Sequence, residues 1–155
     1  MNSDTANNVA IPPVFRYKPG SPKSWELDTE CVNPPNPDGF NIFNVERTSL
    51  TEGTPAIVLA SAAEVAEKVS GMELNLGQHT AEWILGHQHD IAIPTLWHKG
   101  FTLFPATRWR KLTGKLEGTL YVPGLYWEAK EWRLDFFTWL RFCVGKNTYV
   151  AWYNA

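Results

Sequence analysis

Only two of the 155 residues are cysteine, Cys31 and Cys143, and they stand far apart in no metal-ligand or redox spacing. That excludes a disulfide framework and a zinc knuckle, and leaves a pair of idle thiols in a reducing compartment as the expectation. No apolar run approaches the ~20 residues of a membrane span, and the opening residues, MNSDTANNVAIPPVF, place no basic cluster ahead of an apolar stretch. Together these absences predict a cytoplasmic protein, or a particle assembled in the cytoplasm, with no membrane partner. Neither the dinucleotide glycine pattern nor the P-loop occurs, so no nucleotide is expected, and no other cofactor is called for. All six serines lie before residue 71 and none occupies a G-x-S-x-G elbow. No catalytic residue is assigned.

Charge of either sign is modest, and the net charge of −2 conceals an uneven distribution. Residues 1 to 96 carry 12 acids against 5 Lys and Arg, whereas residues 97 to 155 carry 4 against 9. Opposite charge on two parts of one chain favours docking of one on the other, within a molecule or between copies.

What is abundant is proline early and aromatic residues late. Eight of the eleven prolines lie in residues 1 to 55, where each removes a backbone donor and pushes its predecessor toward extended geometry. The same stretch holds Phe15, Tyr17, Trp25, Phe40 and Phe43, groups that a purely solvated tail does not need. It reads as an extended arm, residues 1–55, that packs on something. Residues 56–155 read as one domain, consistent with a length suited to a single core.

Within that domain, Ala56 to Leu59 has the composition of a buried strand, as Ile42 to Val45 does more weakly in the arm. Ser61-Ala62-Ala63-Glu64 has capping-box spacing and predicts a helix closed by Gly71. TAEWIL, Thr80 to Leu85, predicts a second helix capped by Thr80 and stopped at Gly86. From Ile91 the chain alternates aromatic or β-branched residues with charges and is punctuated by Gly114, Pro123-Gly124 and Gly145. This predicts strands at Ile91–Trp97, Phe101–Leu112, Lys115–Val122, Leu125–Trp127, Trp132–Val144 and Thr148–Tyr153. A helix over Glu128 to Val144 competes, because EAKEWRLDFFTWLRF is short of β-branched residues. The fold class expected is α+β, mainly antiparallel β, an aromatic-rich meander or partly closed barrel with one or two short helices and the Pro-rich arm.

Four histidines, His79, His87, His89 and His98, fall within twenty residues. On a strand, His87 and His89 would share a face and hold a metal ion with Asp90 or Glu82, the basis for a metal-dependent enzyme. Glu117, Glu128 and Glu131 are the acids that a glycosidase pair would draw on. Arg108-Trp109-Arg110-Lys111 mixes cations and rings as a single-stranded nucleic-acid groove does, although strand alternation sets Trp109 on the face opposite both arginines.

The ten Trp and Tyr side chains from Trp97 to Tyr153 exceed what one small core swallows, so some reach a surface or an interface. The function expected is therefore that of a non-enzymatic structural or interaction protein, a subunit of a larger assembly such as a virion or other protein shell, docking on copies of itself or on other subunits. Phe15, Tyr17 and Trp25 would meet the edge formed by Arg108, Trp109, Arg110 and Lys111, on a neighbour or on the same body. A small binding module for protein, carbohydrate or single-stranded nucleic acid is the alternative, and the histidine-centred metalloenzyme a third.

Overall fold

The structure is a computed structural model that describes residues 15–28, 36–37, 39–51, 59–140, 144–145 and 147–153. Among these the fold is sheet-dominated α+β, a mixed, open seven-stranded sheet with two short helices. The strands of this sheet are β1 (Trp25–Leu27), β2 (Val45–Ser49), β4 (Phe101–Leu103), β5 (Trp109–Lys111), β6 (Leu120–Glu128), β7 (Glu131–Trp139) and β9 (Thr148–Tyr153). A separate pair joins β3 (Leu59–Ala60) to β8 (Val144–Gly145).

β6 organises the sheet. β7 pairs with its whole length on one edge, while the other edge is shared, its first residues by β5 and its later ones by β4. Two branches leave that shared edge: β5 to β1, and β4 to β9 to β2. β4 and β9 run parallel and every other pair is antiparallel. Only β5, β6 and β7 follow one another as a meander.

Pro123-Gly124, expected as a turn, lies in the middle of β6, and the sheet itself explains why. The Pro123 carbonyl accepts from Phe104 N–H (2.9 Å) on the shared edge. The register that sets Leu103 opposite Gly124 continues to Phe104 opposite Pro123, so the proline forgoes only the second bond of that pair, at the junction where β5 gives way to β4. Gly124 sits beneath two crossing side chains: an added Cβ would stand 2.8 Å from Leu103 Cδ2 and 2.8 Å from the Phe137 ring. The turn comes later, at Ala129-Lys130, both with positive φ (52° and 64°), a two-residue hairpin loop closed by Glu128 opposite Glu131. The region proposed as a rival helix is thus β7 over Glu131–Trp139, because β6 provides a cross-strand partner for every residue of it. The remainder of that stretch, residues 141 to 143, lies outside the described residues.

Other expectations shift for similar reasons. Phe101–Leu112 is interrupted by a turn at Pro105 and becomes β4 and β5. Lys115–Val122 begins only at Leu120, after a turn containing Gly118 at φ 85°. Ile91–Trp97 is not a strand: a 3-10 turn spans Thr95–His98 behind Pro94. Ile42–Asn44 is likewise a 3-10 turn, capped by Asn41, from which β2 departs. Of Ala56 to Leu59 only Leu59 lies within the described residues, as the first residue of β3.

Helix α1 (Ala62–Val69) forms with the full capping box, Ser61 Oγ accepting from Glu64 N–H and the Glu64 carboxylate from Ser61 N–H. It ends at Ser70 in a right-handed conformation, so Gly71 is not the left-handed cap. Helix α2 (Gln78–Gly86) begins earlier than expected, at Gly77. Its first N–H is satisfied from a distance by Thr107 Oγ1 (2.8 Å from Gln78 N), and a Cβ on Gly77 would collide with that hydroxyl. Thr80 is inside the helix, buried, with its hydroxyl on Asn36 Oδ1.

The two helices cover opposite faces of the sheet. α1 places Val65 and Val69 with Leu103, Val122, Trp139 and Val150. α2 places Ala81 and Ile84 on the other face with Phe104, Leu125, Trp132, Ala151 and Tyr153. Strand alternation accounts for the split, even-numbered residues of β6 facing α1 and odd-numbered ones α2. No described helix is long and apolar enough to cross a membrane.

Gly124→Ala should lower stability by about 1–3 kcal/mol, since Leu103 and Phe137 are packed from neighbouring strands and have little room to yield. Urea unfolding with an unchanged slope and a lower midpoint is the expected result, and an unaltered midpoint would show that the two side chains move aside.

Candidate interaction surface

The described part of the amino-terminal segment lies on the body of the same chain, along a seam built by α2 and β5. Gln78 and Glu82, one helical turn apart, face it together. The Glu82 carboxylate accepts the backbone N–H of Arg16 (2.9 Å) and of Tyr17 (3.1 Å), and the Gln78 amide donates to Glu82 (2.9 Å) and to the Tyr17 carbonyl. The Gln78 carbonyl oxygen accepts the Trp109 indole N–H (2.8 Å), so one fully buried amide ties segment, helix and sheet together.

Around this hub the residues expected to dock find one another within the chain. Phe15 is buried against His79 (ring centroids 4.7 Å apart) and the edge of Trp109 (6.1 Å). Trp25 meets Tyr121 edge-on at 4.8 Å, with Lys111 Nζ 4.4 Å from its ring centre. β1 pairs with β5, setting Trp25 opposite Lys111 and Leu27 opposite Trp109. Arg110 bridges Asp28 at 2.8 Å, the one ion pair among the described residues that joins the acidic part of the sequence to the basic part. Arg108 donates from Nε to the Pro105 carbonyl (3.0 Å). Tyr17 stays half-buried and lines a 410 Å³ cleft with Arg16, Gln88 and Arg133. Trp109 is buried, so it offers no ring for a nucleic-acid base to stack on, and β1 and β2 belong to the same sheet as the body.

The histidines are placed separately. Residues 87 to 90 form a turn after α2, so the strand that would put His87 and His89 on one face with Asp90 is absent. His87 lies on the Trp83 ring (4.3 Å), its Nδ1 against the Trp83 carbonyl (2.7 Å), and His98 stacks on Trp127 (4.0 Å). Among the described residues no group of three or more His, Cys, Asp or Glu is placed to hold a metal ion. Glu128 and Glu131 face each other at the hairpin end with Arg133 bridging both (3.5 and 3.0 Å).

A second surface centres on Leu96, which the sequence reading did not single out, and on Phe43, which it counted among the apolar groups of the arm. Leu96 is 82% exposed and Phe43 66%. Leu96 borders a 720 Å³ cleft lined by Val45, Arg47, Trp97, Lys99 and Tyr149. Phe43 borders a 420 Å³ concavity with Phe40, Trp83 and Ile91. The chain joins the two concavities twice, through residues 43 to 45 and 92 to 94.

At the centre of the larger cleft is Arg47. β2, β9 and β4 lie side by side, and Arg47, Tyr149 and Thr102 occupy one face of them. The guanidinium therefore extends over the Tyr149 ring (4.0 Å to its centre) and donates to Thr102 Oγ1 (3.0 Å), while its other arm donates to the Leu96 carbonyl (2.8 Å) and the Trp97 ring lies 5.3 Å away. Burial lowers its pKa, opposed by Tyr149. No family, curated protein or solved structure matches this chain. The sequence held one signal for this site: Arg47 is the only cation between Lys23 and Lys68.

Gln78→Ala should cost about 1–3 kcal/mol, because it leaves the Trp109 indole N–H without its buried acceptor. Native-state hydrogen exchange should accelerate at the Arg16 and Tyr17 amides more than in α1. Uniform acceleration, or none, would mean that Gln78 does not hold the segment.

Proposed function

We propose that this chain is a non-enzymatic interaction protein, a subunit that associates with copies of itself or with other components of a larger protein assembly such as a shell or virion. The observation that carries the reading is a pair of uncovered apolar groups, Phe43 and Leu96, each at the border of a concavity, the two concavities adjoining along residues 43 to 45 and 92 to 94. A large leucine almost wholly in water beside a concave, aromatic-walled cleft is characteristic of surface that a partner covers. Arg47, Trp97 and Tyr149 in that cleft are of the residue types that dominate binding energy at interfaces. The extended amino-terminal segment supports the same reading, because contacts made by a segment within one chain are available to exchange between copies. The compartment that suits this role is the cytoplasm, or a particle assembled there, where two cysteines outside any framework spacing remain reduced.

Light scattering on the full chain over a range of concentrations tests it. The expected mass is a multiple of 17.6 kDa at high concentration. Leu96→Glu should weaken association roughly tenfold or more, the scale of a buried anchor side chain, with an unchanged circular dichroism spectrum. A chain that stays monomeric at every concentration, with and without the substitution, would remove self-association.

A further inference from the structure

We propose that the cleft around Arg47 is a binding site for a carboxylate carried on an apolar group. The inference goes beyond self-association and does not depend on it, although the two share Leu96.

Among the described residues Arg47 has no opposite charge beside it. A guanidinium removed from water is ordinarily matched by a carboxylate. Arg47 is half-buried, yet no Asp or Glu among the described residues lies within salt-bridge distance of it. Its partners are neutral, the Thr102 hydroxyl and the Leu96 carbonyl, and they engage two of its five N–H groups. The side chain is thereby fixed in direction, and among the described residues nothing accepts from the rest of its fork. The cost of burying this cation is visible in the lowered pKa, and an anion arriving in the cleft would offset it.

The surroundings select the kind of anion. Val45, Pro94, Leu96, Trp97 and Tyr149 give the 720 Å³ cleft apolar walls, a volume in the range of small-ligand sites. A planar guanidinium fork matches a planar carboxylate through two parallel hydrogen bonds. Lys99 also lines the cleft; Glu46 borders it, but as the neighbour of Arg47 on β2 its side chain leaves from the opposite face of the strand. One half-buried cation with a planar fork at the centre favours a planar monoanion over the tetrahedral dianion of a phosphate monoester. The apolar remainder of the ligand would lie against Leu96 and Trp97.

Two sources present this chemistry, a free aryl or alkyl carboxylate and the acidic side chain of a peptide flanked by apolar residues. Titration of the full chain at monomer concentration, followed by the Arg47 Nε–H and Trp97 indole signals in nitrogen–proton correlation spectra, separates them. Phenylacetate, phenylacetamide, phenyl phosphate and the blocked peptide acetyl-Leu-Glu-Leu-amide are the probes. Phenylacetate, the peptide or both should shift these two signals saturably. Neutral phenylacetamide and phenyl phosphate should bind at least tenfold more weakly. Arg47→Met should reduce carboxylate affinity tenfold or more, with Arg47→Lys between it and the native chain and Lys99→Met near the native chain. Arg47→Met also removes the bonds to Thr102 and Leu96, so the native chain carries its own test, a thermal midpoint that rises with phenylacetate or the peptide but not with phenylacetamide. Equal binding of acid and amide, unaltered affinity in a folded Arg47→Met, or no shift with either carboxylate overturns the proposal. The association measurement is independent: a chain that oligomerises but ignores carboxylates loses only this site, and a monomer that binds them loses only self-association.

Discussion

The rest of the structure depends on how the backbone of β6 is hydrogen-bonded. One edge is satisfied along its length by β7, while the other must accept two different strands in succession. At the change-over from one partner to the next stands Pro123, whose carbonyl accepts Phe104 N–H and whose ring offers no donor in return, so the ladder there is reduced to a single bond. Gly124 follows where Leu103 from one neighbour and Phe137 from the other close over the backbone. These two residues let one sheet split into branches that carry the amino-terminal strand β1 one way and β9 and β2 the other.

The branching decides where the surfaces fall. β5 and β1 lead to a seam in which the amino-terminal segment is held by backbone pairing, by the buried amide of Gln78 and by aromatic contacts of Phe15 and Trp25. β4, β9 and β2 lead to a different place, where a cation from the outermost strand crosses its neighbour to reach the third. One surface is closed upon the chain itself, and the other leaves Leu96 in water beside a half-buried guanidinium that gives two of its five N–H groups to described residues. The distinction bears on function, because groups engaged internally are poor anchors for a partner and uncovered ones are good anchors.

Features that depend on a few adjacent residues were legible in the sequence. The capping box at Ser61 and Glu64 is a local exchange of two hydrogen bonds and needs nothing from the rest of the chain. β9, TYVAWY, is a near-continuous apolar run and is bounded as expected, because a strand covered on both faces tolerates little else. The same local reasoning misplaced the start of α2, whose first N–H is bonded to Thr107, twenty-nine residues away. It took Pro123-Gly124 for a turn because proline and glycine usually punctuate, and it passed over Ala129-Lys130, which adopt positive φ without the usual glycine or asparagine. The histidines clustered in sequence, yet three of them, His79, His87 and His98, contact three different aromatic rings in space.

By itself the sequence determined a sheet-dominated α+β domain with an aromatic-rich final third, a capped helix at Ser61 and an amino-terminal stretch carrying apolar groups that require cover, since periodicity, caps and composition are properties of neighbours along the chain. Only the tertiary structure decided that the Trp25 segment lies against β5 of its own chain, that Trp109 faces inward, and that Arg47 is held among Tyr149, Thr102 and Leu96 with no carboxylate of a described residue in reach. Those outcomes depend on which strands share an edge and on which face of them each side chain falls, and contacts between residues far apart in the sequence leave no local pattern to read.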